Sequence, residues 1–137
     1  MMAELKTDAP GGDSKAHVKA ELSKTFRFEA AHSLPNVPPE HKCAGRHGHS
    51  YQVTVTVAGE VHETLGWVMD FDEIKKAVEP LIRQLDHTQL NDVEGLSNPT
   101  SEQLAKWLWD RIRPRLPQLA AVSVAESVNS LCTYRGG

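Results

Sequence analysis

The run Cys43-Ala-Gly-Arg-His47-Gly-His49 sets a thiol close to two histidines spaced two residues apart, and His32 ends the apolar run before it. Thiols and imidazoles hold borderline metals and exchange protons near neutral pH, so these residues suggest metal-assisted chemistry. Residues two apart on a strand share a face and rise together by about 6.6 Å, which aims His47 and His49 the same way. Tyr51, Val53, Val55 and Val57 continue that parity while Gln52, Thr54 and Thr56 take the other, the pattern of a half-buried strand. Phe26, Phe28, Ala30 and His32 alternate likewise against Arg27 and Glu29. If these strands pair, all three histidines converge at one end of a sheet, where imidazoles on an apolar face are costly unless something satisfies them.

Zinc satisfies such a trio. It takes neutral imidazole nitrogens at roughly 2.0 to 2.1 Å, and three histidines leave the fourth tetrahedral position open for water or substrate. The ion then keeps its double charge and can polarise a hydroxyl or carbonyl, whereas a four-thiolate site is closed and structural. The bland alternative is that His32 caps a strand and His-Gly-His is a turn. Cys43 has three readings: a small buried hydrophobe, a fourth zinc ligand, or a thiolate activated by His41, Lys42, Arg46 and a nearby metal. Cys132, in an apolar terminal run, reads as core. Two cysteines, one beside a candidate metal site, do not make a disulfide framework and point to a reducing compartment.

These side chains need elements to position them. Asp70 can cap a helix with Glu73 at the capping-box position, and Phe71, Ile74, Val78, Leu81, Ile82 and Leu85 form its apolar stripe, with a kink expected at Pro80. Residues 91 to 99 read as a loop. A second capped start follows at Thr100 with Gln103, and Leu104, Trp107, Leu108 and Ile112 give the buried face before Pro114 and Pro117 end the helix. Trp109 lies off that stripe and is a candidate for facing a subunit neighbour. Val122 and Val124 begin a third strand, and Leu131 to Arg135 a fourth, after a turn at Asn129-Ser130. The expected fold is α+β: a four-stranded antiparallel sheet with two helices, inserted between strands 2 and 3, on one face. So small a sheet favours oligomerisation to protect its edges.

Glu126 continues the Val122 and Val124 parity, so it is either a strand-end residue turning to solvent or a carboxylate planted in a pocket. Asp86-His87, just past the first helix, is either a simple C-terminal signal or an Asp-oriented histidine that exchanges a proton with Cys43.

At 137 residues, with 15 Lys and Arg against 18 Asp and Glu, the chain has length for one core and no basic stripe of the kind nucleic acids require. No segment approaches the roughly 18 apolar residues of a membrane span, and no secretory signal opens it, which makes the cytoplasm the expected location. Residues 1 to 20 are polar and contain Pro10-Gly11-Gly12, so a flexible tail is expected there, followed by a single catalytic domain over 21 to 137.

Together, Phe28-Glu-Ala-Ala-His32, Cys43-Ala-Gly-Arg-His47-Gly-His49, Gly66-Trp-Val-Met-Asp70-Phe, Leu85-Asp86-His87, Asn98-Pro-Thr-Ser-Glu102, Glu126 and Tyr134-Arg-Gly resemble the 6-pyruvoyl-tetrahydropterin synthase superfamily, and within it the bacterial 6-carboxytetrahydropterin synthases of queuosine biosynthesis. The resemblance runs from Thr25 to Gly136. It implies the tunnelling fold, in which trimers close a barrel and pair into hexamers with active sites between subunits. By the same resemblance His32, His47 and His49 hold zinc, Cys43 is the catalytic base, and Asp86 with His87 completes its relay. Glu126 anchors the pterin ring, with Ser127 and Glu102 among the substrate-binding residues. Lys42, Arg46 and Arg135 are candidates for triphosphate contacts on charge alone.

The implied substrate is 7,8-dihydroneopterin triphosphate, a small molecule, with no nucleic acid or membrane partner. Three residues separate Cys43 from His47, as in the bacterial carboxy type, whereas the animal pyruvoyl synthases carry a longer insertion. Ser127-Val-Asn departs from the Glu-Thr pairing usual after the anchor. A reading from another class is a noncatalytic zinc-binding assembly protein in which Cys43 closes the site.

Overall fold

The computed structural model describes residues 18–137, so the tail expected over residues 1 to 20 lies outside the described residues up to residue 17. From there the order is β1 (Lys19–His32), β2 (His47–Glu60), α1 (Phe71–Leu85), β3 (Thr88–Gln89), a 3-10 turn (Leu90–Asp92), α2 (Ser101–Ile112), β4 (Leu119–Ser127) and β5 (Ser130–Tyr134). Lys19 and Ala20, which the sequence places in the tail, pair with Glu60 and Gly59 at the start of β1.

The sheet runs β3-β1-β2-β4-β5. Four strands are antiparallel neighbours, as their alternation predicts. The fifth, β3, is a two-residue strand parallel to β1, in which Ala30 and Ala31 pair with Thr88 and Gln89. Strand count therefore departs from the expected four, because two residues are too few to carry a periodicity and their pairing is set by backbone alone.

Each antiparallel face sorts by parity. Val53, Val55, Val57, Val122 and Val124 are buried under the helices, each side chain contributing about 1.5–3 kcal/mol by leaving water. On the opposite face, hydroxyls meet across the strands: Ser23 with Thr56 at 2.8 Å, Thr25 with Thr54 at 3.3 Å and Ser123 with Thr133 at 2.9 Å. That face is polar and the helices cover only the other.

Asp70 caps α1 by accepting from the Asp72 N–H, and Ile74, Val78, Ile82 and Leu85 are buried as their spacing predicts. Ala77 joins them, whereas Phe71, the first residue of α1, stays 47% exposed. The helix runs through Pro80 to Leu85. Thr100 caps α2, its hydroxyl accepting from the Gln103 N–H at 3.1 Å, a contact worth about 1 kcal/mol. Leu104, Trp107, Leu108 and Ile112 are buried, while Trp109 is partly buried and meets Tyr134 edge-on at 5.5 Å. Cys132 is half-buried at the margin of the core.

Candidate metal centre

Pairing of β1 with β2 sets His32 directly opposite His47, Ala30 opposite His49 and Phe28 opposite Tyr51. The three histidines therefore lie at one end of the strand pair, on the parity of buried Tyr51 and Val53, and their ligand nitrogens all fall within 4.8 Å of one another. Among the described residues this is the cluster that can hold a metal ion, and Cys43 is not part of it.

The remaining ring nitrogens fix how the trio presents itself. His32 Nδ1 lies 2.8 Å from the Pro99 carbonyl and His47 Nδ1 2.8 Å from the Gly45 carbonyl. A carbonyl only accepts, so both Nδ1 atoms carry the hydrogen, which leaves Nε2 as the lone-pair nitrogen of each ring in its neutral form. Those Nε2 atoms are 3.1 Å apart. Two lone pairs facing one another repel, and a cation between them turns the repulsion into ligation. His49 Nε2 is buried with no hydrogen-bond partner, an unmet acceptor of the same kind. Burial, together with the neighbouring His32 and His47 rings, holds His49 below its usual pKa despite the opposing pull of Glu126, which favours the neutral ligand form. The donor set fits zinc: three neutral imidazoles, two of them oriented by outer hydrogen bonds.

Tyr51 backs the trio. Its ring stacks on Phe28 at 4.9 Å, and its hydroxyl lies 3.1 Å from His32 Nδ1. Burial first and the Glu126 charge second push its pKa up, so it stays a phenol.

Glu126 reaches the centre from β4. The β4–β5 ladder shifts register between Ala125 and Ser127, and bulges of this kind re-aim a side chain. Glu126 Oε1 lies 3.7 Å from His49 Nε2, and Oε2 accepts a 2.6 Å hydrogen bond from Ser101 Oγ. The Glu126 carboxylate is 29% exposed and lies beside the histidine cluster.

The other expected residues stand apart. Cys43 is half-buried in the loop before β2 and is held through its backbone, donating to His41 Nδ1 at 3.0 Å and accepting from the Leu34 N–H at 2.9 Å. Asp86 and His87 form a pair of their own, with His87 Nδ1 2.9 Å from Asp86 Oδ2. Asp86 Oδ1 accepts from the Glu29 N–H, which is the main cause of a carboxyl pKa below its usual value. His87 adopts a positive φ of 60°, a conformation uncommon for a side-chain-bearing residue, and its N–H donates to the Glu29 carbonyl. It lines an open groove of about 480 Å³ with Glu29, Arg46, Gly48 and Ser50, and His49 of the histidine trio lines the same groove. Among the described residues no hydrogen bond or ion pair joins Cys43 to Asp86 or His87 within one protomer.

Lys42 and Arg46 are exposed near the start of β2, while Arg135 follows Tyr134, which pairs with Val122 and through it with Val55. The register puts Arg135 on the order of 30 Å along the sheet from Arg46, so one protomer does not gather the three cations. Ser127 is exposed at the β4–β5 turn, where its hydroxyl accepts from the Asn129 N–H, and Glu102 is exposed in the first turn of α2. Three residues the sequence reading left unassigned touch the centre: Pro99 through its carbonyl, Tyr51 through its hydroxyl and Ser101 through Glu126. Tyr51 was signalled by sharing the histidine parity. A backbone carbonyl leaves no sequence signal.

Comparison with known proteins decides the lineage. The family model described as 6-pyruvoyl tetrahydropterin synthase matches residues 21–137. The chain belongs to this family. It is 42% identical over 119 residues to a 6-carboxy-5,6,7,8-tetrahydropterin synthase of Synechocystis sp., a match covering 82% of this chain and 91% of that protein. It is also 38% identical over 100 residues to the dihydroneopterin monophosphate aldolase of Pyrococcus furiosus, covering 73% and 81%. The solved 6-pyruvoyl tetrahydropterin synthase of Caenorhabditis elegans superposes with a TM-score of 0.82 at 27% identity, over 90% of this chain and all of that one. The family's tunnelling fold is the fold of this chain, with β3 as its extra short strand.

Proposed function

We propose that this protein is a zinc-dependent lyase that converts 7,8-dihydroneopterin triphosphate and one water to 6-carboxy-5,6,7,8-tetrahydropterin, acetaldehyde and triphosphate, as a step of queuosine biosynthesis in the cytoplasm. The observation that carries the reading is the pairing of an oriented three-histidine set with a half-buried carboxylate 3.7 Å from one of its rings. A metal site alone is common to many chemistries. A carboxylate beside it suits a pterin, because it can accept paired hydrogen bonds from the 2-amino group and the adjacent ring nitrogen.

His32, His47 and His49 would hold the zinc, which supplies a Lewis acid to polarise the side-chain hydroxyls of the substrate. Glu126 fixes the ring, so that the side chain is presented to the histidine end of the sheet. Cys43 removes a proton from the side chain as general base, and His87, oriented by Asp86, shuttles protons. Cys43 makes no hydrogen bond or ion pair with the Asp86–His87 pair inside one protomer, so the relay is assembled between copies, in keeping with a homohexamer built as a dimer of trimers. Among the described residues no helix is long and apolar enough to cross a membrane.

Relatives with carboxy, pyruvoyl and aldolase names surround this chain. The three-residue spacing from Cys43 to His47 and the 42% identity to the Synechocystis protein favour the carboxy product. Product analysis of the zinc-loaded protein given 7,8-dihydroneopterin triphosphate tests the proposal. Acetaldehyde formed together with 6-carboxytetrahydropterin is the expected result. A 6-pyruvoyl product without acetaldehyde would move the chain to the biopterin branch, and carbon–carbon cleavage without the carboxylate would move it toward the aldolase. No turnover by zinc-loaded protein would favour a binding role.

A further inference from the structure

We infer that Ser101 is the positioning residue of the Glu126 carboxylate, holding Oε2 so that Oε1 faces the substrate beside the histidine centre. The inference rests on the reading of Glu126 as the pterin anchor, and it adds a residue to which the sequence motifs assign no role.

Glu126 sits where the β4–β5 register shifts, so regular ladder pairing does not define its direction. An acidic side chain with three rotatable bonds, left there alone, samples several rotamers, and each binding event bears the entropy of selecting one. Ser101 removes that freedom. It is the first residue of α2, directly after the N-cap Thr100, where capping fixes the backbone. Its Oγ donates to Glu126 Oε2 at 2.6 Å, a short charge-assisted contact of the stronger class. The other oxygen is left 3.7 Å from His49 Nε2 on a side chain that is 29% exposed.

The same stretch of chain also serves the metal side. Pro99, two residues before Ser101, gives its carbonyl to His32 Nδ1 at 2.8 Å. One rigid turn therefore carries both an orienting contact to a metal ligand and an orienting contact to the ring anchor, which fixes their separation. Preorganisation of this kind acts on affinity: Ser101 lowers the disorder of the free site without touching the reacting atoms.

Binding of neopterin to the zinc-loaded full-length protein, followed by pterin fluorescence, separates this inference from the reading beneath it. Ser101→Ala preserves the Thr100 cap and a good helix former at the first position, so folding is retained. The expected result is about tenfold weaker neopterin binding and about tenfold higher KM, with kcat within about twofold, and restoration by Ser101→Thr. Zinc content and melting temperature stay at wild-type values. Wild-type affinity in Ser101→Ala would overturn the inference, as would loss of zinc or of melting temperature in step with binding, since that marks a merely structural role. Failure of the wild-type protein to bind neopterin, against strong binding by a pterin-binding control, would remove the pterin reading itself and this inference with it.

Discussion

The two ends of the Glu29 neighbourhood behave differently. On the helix side of the β1–β2 pair, His32, His47 and His49 are drawn together by strand register and braced by backbone carbonyls, all within one protomer. Toward β3, Asp86 and His87 are locked to each other and to the Glu29 backbone, yet His87 is 79% exposed in an open groove that His49 also lines, and among the described residues no hydrogen bond or ion pair joins it to Cys43. The three histidines meet within one protomer, and under the proposed function the proton-transfer half would await a second copy. A carbon-acid reaction needs both, so assembly would decide whether the chain is active while zinc binding would be indifferent to it.

The sharpest break of that contrast is on the metal side. His49→Ala should abolish turnover and weaken zinc binding by more than about a hundredfold, beyond the 10- to 100-fold typical of losing an outer hydrogen-bond partner, as measured by chelator competition. Retention of zinc by this variant would show that the trio is not the ligand set.

On the proton-transfer side, Cys43→Ala should lower kcat by about 10³-fold with full zinc content. Its cobalt-substituted parent should show no thiolate charge-transfer band. Mixing this variant with His87→Ala, itself impaired, and reassembling the oligomer should recover roughly a quarter of wild-type activity, since one site in four then receives both intact residues from different copies. No recovery would place the relay within a single chain.

The smallest effect concerns Asp86. Its carboxyl is held below its ordinary value of 3.8, principally by the Glu29 N–H, so the charged form is favoured in the folded protein. A folded-state pKa below the unfolded one contributes stability that is present above the unfolded value and lost as pH falls through the folded one. The melting-temperature gap between wild type and Asp86→Asn should therefore be constant near neutrality and narrow as pH falls below about 4. A gap that persists unchanged at lower pH would assign it to packing instead of charge.

Much of this was legible in the sequence, because its strongest signals are periodic. Alternation over Phe26 to His32 and His47 to Val57 gave both strands, their faces and the convergence of the three histidines. The capping residues Asp70 and Thr100 marked both helix starts within a residue. What was illegible depends on events that have no period. The β3 strand is two residues long, Phe71 lies on the helical stripe but is exposed at the helix start, and Arg135 is separated from Lys42 and Arg46 by hairpin register. Ser101 was inside a motif the sequence reading quoted, but its contact with Glu126 spans 25 residues and exists only once α2 has docked beside β4.

His32 offers a last consequence, in the order of events during synthesis. Its Nδ1 is oriented by the carbonyl of Pro99, a residue 67 positions later in the chain. A nascent polypeptide that has exposed both histidine-bearing strands still lacks the brace that holds one of its imidazoles in the ligating tautomer and direction. Ion capture would thus be a late step, completed when the second helix arrives, and a bound metal would tie the β2 histidines to His32 and, through its Pro99 brace, to the last third of the chain.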